Sequence, residues 1–172
     1  MARILPVALV ASCLVAASLT ACFHYAPGTL RARHRRWATT REVGCLDVAA
    51  EIIGDPHVEP SSPVVDLQFG NRCDGGVHVD LRKLEVVARW SDGRRVQLHA
   101  YDPRNEIEPL PLAPGTLGHE AIAFPAPKDE TDPPSQVCVE LGGLDADEPR
   151  IDAKSCFSRV GDVMRPDLGD DS

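Results

Sequence analysis

The 172-residue chain is 43% hydrophobic, 26% charged and only 5% aromatic, with 15 prolines, 13 glycines and six cysteines. That length accommodates one modest domain and excludes two large ones. Eighteen Lys and Arg against 26 Asp and Glu give a formal charge of −8, which argues against a general nucleic-acid surface, because backbone binding needs cations to meet phosphates.

Met1-Ala-Arg3 gives a short positive start, and residues 4–19 form a charge-free apolar run followed by small residues. This is the pattern of a secretory signal peptide, and the run is short for a bilayer-spanning helix. Its end, Leu19-Thr20-Ala21-Cys22, resembles the lipobox of bacterial lipoproteins, with Leu three places before the cysteine, then a hydroxyl residue, then Ala. The resemblance implies cleavage before Cys22, a diacylglyceryl group on its thiol and, usually, an acylated new amino terminus. A thiolate is a good nucleophile, and several acyl chains together anchor firmly where one does not. Phe23 follows where an Asp often marks inner-membrane retention in Gram-negative lipoproteins, so the resemblance favours an outer-membrane location in such a host. The membrane, reached through lipid on Cys22, and an envelope protein are the expected partners; nucleic acid is not.

Four regions are expected: a signal peptide over 1–21, a lipidated basic tether over 22–42, a domain over 43–160 and an acidic tail over 161–172. The tether carries Arg31, Arg33, Arg35, Arg36 and Arg41 against Glu42, and the tail carries Asp162, Asp167, Asp170 and Asp171 against Arg165. Cleavage before Cys22 leaves 151 residues with 17 basic against 26 acidic side chains, a charge of −9. The basic stretch suits a solubilising tether, with anionic head groups as its alternative contact.

Cys13 leaves with the signal peptide and Cys22 takes lipid, so Cys45, Cys73, Cys138 and Cys156 remain in the domain. An even number in an oxidising compartment favours two disulfides, and four cysteines allow three pairings. The sequential pairing, Cys45 with Cys73 and Cys138 with Cys156, is preferred because it closes a loop at each end of the domain. A zinc site is disfavoured, since its cysteines usually come in close pairs. No Cys-x-x-Cys supports a catalytic dithiol.

In chain order, Val43–Ile53 reads as a first strand region and Pro63–Phe69 as a second, with Val65, Leu67 and Phe69 on one face. After the turn at Asn71–Gly76, Val77, Val79 and Leu81 alternate with His78, Asp80 and Arg82, as a half-buried strand requires. The parity shifts near Arg82-Lys83, predicting a bulge or a new strand running to Trp90. Ser91-Asp92-Gly93 is a hairpin signal leading into Arg94–Tyr101, where Val96, Leu98 and Ala100 oppose Gln97, His99 and Tyr101. A connection containing Pro103, Pro109, Pro111 and Pro114 precedes a strand at Gly118–Phe124 and a loop at Pro125–Pro134. Gln136–Leu141 and Ile151–Phe157 read as the last strands.

About seven short strands joined by Gly/Pro/Asp turns predict an all-β fold, a small disulfide-stabilised β-sandwich of immunoglobulin-like architecture, with a small β-barrel as the alternative. The Cys-Trp-Cys core signature is missing, because Trp90 follows both Cys45 and Cys73.

Catalytic motifs fail their spacing tests: there is no Gly-x-Ser-x-Gly, no His-Glu-x-x-His and no phosphate-binding glycine loop. His78 and His99 would approach one another only if they sat on neighbouring strands, and two ligands make no site. Asp129–Asp132 and Asp145–Glu148 read as solvated acidic loops without the calcium-loop pattern. His119 and Glu120, adjacent on a strand, point to opposite faces. No cofactor, metal or catalytic residue is therefore assigned. The leading expectation is a noncatalytic, membrane-tethered envelope lipoprotein that binds protein or serves structurally. The alternatives are an envelope hydrolase or metal-dependent enzyme, favoured by a deep polar cleft, and a peptide- or glycan-binding module to which Tyr101, Trp90 and His99 could contribute.

Overall fold

A computed structural model describes residues 25–27, 30, 38–53, 62–144 and 153–167. Eleven strands are present among these residues: β1 (Ala38–Val43), β2 (Leu46–Ile53), β3 (Val64–Asn71), β4 (Val77–Val79), β5 (Glu85–Arg89), β6 (Arg95–Leu98), β7 (Leu110–Leu112), β8 (Leu117–Ala123), β9 (Gln136–Glu140), β10 (Lys154–Val160) and β11 (Val163–Pro166). They form a four-stranded sheet in the order β1-β2-β3-β8, a five-stranded sheet in the order β11-β10-β9-β5-β6, and a small β4-β7 pair. Both large sheets are open, so the architecture is a β-sandwich and the barrel alternative falls.

Alternation fixes which side chains enter the space between the sheets. Val48, Ala50, Val65, Leu67, Phe69 and Ile122 come from the first sheet, and Val86, Ala88, Val137, Val139, Phe157 and Met164 from the second; all are buried in one apolar cluster. At the β1 edge the layers are also joined by polar contacts, Thr39 Oγ1 donating to Ser155 Oγ at 2.6 Å and Arg41 Nε to the Lys154 carbonyl at 3.3 Å. Trp90 belongs to the core as well, its indole N–H donating to the Asp132 carbonyl at 2.9 Å, which satisfies the polar end of a buried ring.

The structure holds the sequential disulfides, Cys45–Cys73 and Cys138–Cys156. Neither crosses between the sheets. Cys138 and Cys156 are direct cross-strand partners of β9 and β10, and Cys45–Cys73 ties the β1–β2 turn to the chain just past β3. An immunoglobulin domain of the antibody type bridges its two sheets instead.

Several boundaries differ from the sequence reading. The expected strand at Val43–Ile53 breaks at Gly44-Cys45 into a hairpin, and its first arm, β1, starts at Ala38, inside the stretch expected as a free tether. Its six residues carry little apolar signal; pairing with β2 supplies the order. The parity shift near Arg82 is a single 3-10 turn at Leu81–Lys83, capped by Asp80, after which the chain crosses to the second sheet. The proline-rich connection contains β7, where Pro111 is tolerated because β7 pairs only with β4. The expected acidic tail begins with a hairpin, β11 returning along β10 after the turn at Gly161-Asp162.

β2 and β3 are buried on both faces. On the outer face, away from the second sheet, register sets Glu51 directly opposite Asp66 and Asp47 opposite Gly70. Part of the cover is Tyr25, only 5% exposed.

Candidate functional site

Two surface features can be built from the residues upward, one at each end of β8. β8 is the end strand of the four-stranded sheet, paired with β3. At its last residue, the Ala123 carbonyl accepts from the Tyr101 amide at 2.8 Å. This places the Ala123 backbone groups on the open side of the strand, and alternation places those of Ala121 and His119 there too. The chain from Asp102 then runs beside that edge. Asp102 shapes it, its carboxylate accepting the amides of Glu106 at 2.7 Å and Ile107 at 3.3 Å, a local cap of the kind aspartate provides in turns.

A groove of about 780 Å³ lies between this loop and Glu120–Ala123, with Leu81, Ile107, Leu110 and Ile122 among its apolar lining. Asp102, Glu106, Glu108 and Glu120 line it as well, against Arg104. A second groove, of about 480 Å³, lies between Val96–Tyr101 and Pro125–Pro127. Tyr101 belongs to both, and at 64% exposure it is the most exposed large hydrophobic side chain among the described residues. It stands on the surface and does not close over the core.

The loop beyond Ala123 is held by charge. Arg94, on the β5–β6 hairpin, pairs with both Asp92 and Glu130 and stacks over Trp90 with 5.6 Å to the ring centroid. The hydrogen bonds that it donates to Glu130 and Asp92 hold its guanidinium proton more tightly than usual. Asp92 is pushed below the usual carboxylate range, chiefly by the Arg94 backbone N–H.

The second feature sits at the other end of β8. The Tyr25 ring lies over Gly70 so closely that a Cβ there would collide with it. Its hydroxyl donates to Asp47 and its amide to the Gly115 carbonyl. Arg72 completes the cluster, with Nε 2.8 Å from Asp47 and a guanidinium nitrogen 3.6 Å from Glu42. Sequence reasoning missed this dock; a single Tyr between His24 and Ala26 carries no periodic signal.

The histidine pairing considered from sequence does not form: His78 lies on β4 of the small pair and His99 follows β6 of the five-stranded sheet, so they are not on neighbouring strands. His119 Nε2 instead lies 3.0 Å from the buried Asp66 carboxylate on the adjacent strand. Glu120 lies on the opposite face of β8 and lines the larger groove. Among the described residues no three His, Cys, Asp or Glu side chains are grouped to hold a metal. Cys22, the arginines at 31, 33, 35 and 36, and the acidic loop at Asp145–Glu148 lie outside the described residues.

No protein-family model matches the sequence, and no curated protein matches it. Among solved structures, the chain is similar to the yjhA protein from Bacillus subtilis, at 7% identity and a TM-score of 0.42, over 69% of this chain and 93% of that one. It is also similar to MPT63, a secreted protein from Mycobacterium tuberculosis, at 14% identity and a TM-score of 0.36, over 74% of this chain and 88% of that one.

Proposed function

We propose that this protein is a noncatalytic, lipid-anchored envelope protein that binds an extended segment of another envelope protein along the β8 edge, with Tyr101 as the anchor. The observation that carries the reading is the position of Tyr101, an exposed aromatic standing where two open grooves meet beside an end strand. An edge strand offers main-chain donors and acceptors to an incoming strand, and the side-chain grooves beside it add selectivity. Exposed tyrosine is suited to this work, because it presents a large rigid face at little entropic cost. The carboxylates along the larger groove favour a segment that combines lysine or arginine with an apolar residue. The lipobox at Leu19–Cys22 supports the anchored location.

The test is selection of displayed ten-residue peptides on the folded domain, followed by affinity measurements on Tyr101→Ala and on Glu106→Gln with Glu108→Gln. Enriched peptides should carry basic residues and weaken about tenfold or more with Tyr101→Ala, the size of loss typical of an aromatic anchor. Peptides indifferent to all three substitutions, or no enrichment, would remove the reading. The anchor is tested separately by the intact mass of protein extracted from its native membrane, which should begin at Cys22 and carry added lipid.

A further inference from the structure

We infer that Tyr25 makes the lipid anchor an orienting device: the domain meets the membrane through the sandwich end that carries the Cys45–Cys73 disulfide and the Ala113–Leu117 turn, and the Tyr101 grooves face away from it. The inference rests on the reading of Cys22 as the lipidated residue. Tyr25 follows Cys22 by three positions, and three residues of fully extended chain reach about 10 Å. A tether free over residues 22–42 would leave the domain free to tumble, but this chain is already pinned at Tyr25. Its ring is seated on Gly70, its hydroxyl is bound by Asp47 and its amide by the Gly115 carbonyl. Two contacts of the side chain and one of the backbone amide fix the position of Tyr25, which is 5% exposed. Three residues of chain can carry the lipid attachment no further than about 10 Å from the Tyr25 backbone, whose amide is bonded at Gly115.

The surface at that end suits contact with a bilayer. Leu117, a large hydrophobic side chain on β8, lies opposite Gly70 in register and is 52% exposed. Beside it stand the exposed turn at Asp74–Gly76 and the partly exposed Arg72. An apolar side chain flanked by polar groups is matched to the boundary between head groups and acyl chains. From Leu117 to Ala123 the strand advances six residues, about 20 Å, and the Ala123 carbonyl is where Tyr101 is attached. The anchor and the grooves therefore occupy opposite ends of one strand. A protein held this way presents its recognition edge to the envelope space and keeps its bilayer-facing end unavailable to partners.

Hydroxyl-radical footprinting of the full lipidated protein in phosphatidylcholine vesicles reads both ends at once, with the lipid-free Cys22→Ser protein as reference. Intact mass first establishes whether lipid is attached. Attachment should lower labelling of Leu117 about threefold or more, as expected for a side chain entering the interface. Tyr101, and Val160 and Val163 of the β10–β11 hairpin, should label equally in the two forms. In lipidated Tyr25→Ala, the protection of Leu117 should fall away, and the milder Tyr25→Phe, which keeps the ring on Gly70, should retain most of it. If lipid mass is present but Leu117 labels as in the reference, the orientation is wrong while the anchor stands. The orientation is equally wrong if Tyr25→Ala leaves the protection intact. If no lipid is found, both the anchor and the orientation fall together.

Discussion

Asn71 is fully buried where three segments of chain meet, at the end of β3 beside the Cys73 loop and the β7–β8 turn. Its Nδ2 lies 3.1 Å from the carbonyls of Gly75, Leu112 and Ala113, and its Oδ1 accepts the Cys73 amide at 2.7 Å. Two hydrogens serve three carbonyls, so one is shared. Asn71→Ala should cost about 3 kcal/mol, since a lost hydrogen bond is compounded by buried groups left unsatisfied. Asn71→Asp should cost at least as much, because it replaces the amide donors with a charge facing carbonyl oxygens. Urea unfolding of the two variants checks this, and an aspartate variant as stable as the parent would show that the carbonyls find other donors.

The 3-10 turn and the β5–β6 hairpin each rest on one aspartate. Asp80 accepts the Arg82 amide at 3.2 Å and its guanidinium at 2.8 and 2.9 Å. The side-chain bond from Arg82 is the main reason its carboxyl sits below the usual range. Asp92 does the same for Arg94 at the hairpin, beside Gly93 at φ +87°, a conformation that glycine adopts without strain. A carboxylate depressed in the folded state contributes stability that is full above its unfolded pKa, near ~4, and is lost as pH falls through the lower folded value. The double variant Asp80→Asn with Asp92→Asn should thus melt below the parent at pH 6, and the two should converge in acid well below pH 4. A gap that persisted in acid would mean that the carboxylate charge is not what supports these turns.

At this scale the sequence spoke unevenly, for physical reasons. Val65, Leu67 and Phe69, then Val77 and Val79, announce themselves because apolar residues on the core side alternate with polar or small ones on the other, even where, as on β3, that other face is covered. Ser91-Asp92-Gly93 is legible because turn chemistry is local. β1, β7 and β11 are not, since their order comes from pairing with β2, β4 and β10 and their side chains carry little apolar alternation. Of Tyr101, Trp90 and His99, the candidates for a binding surface, the sequence already favours the core for Trp90, whereas for Tyr101 it leaves capping the core and standing on the surface both open. Trp90 goes inside, where the Asp132 carbonyl serves its N–H, and Tyr101 lies outside between grooves that nonlocal segments create. The Tyr25 dock joins residues far apart in the chain, and no local pattern encodes such a meeting.

For the molecule as a whole, the two disulfides staple separate loops, 28 and 18 residues apart in sequence, and leave the space between the sheets to apolar packing. Loop-closure entropy assigns each about 3 to 4 kcal/mol through the unfolded chain. The loops do not overlap, so the contributions should add. Replacing Cys45 and Cys73 with Ala, or Cys138 and Cys156 with Ala, should lower the urea midpoint while both variants keep the strand signature and the buried-tryptophan fluorescence of the parent. Replacing all four should remove about 7 kcal/mol, comparable with the whole stability of a small domain, so that protein should be largely unfolded at 37 °C. A quadruple variant that stayed folded would place the stability in the apolar layer alone. If either two-cysteine variant unfolded by itself, then one sheet depends on its staple to form, and the sandwich would have to assemble after oxidation.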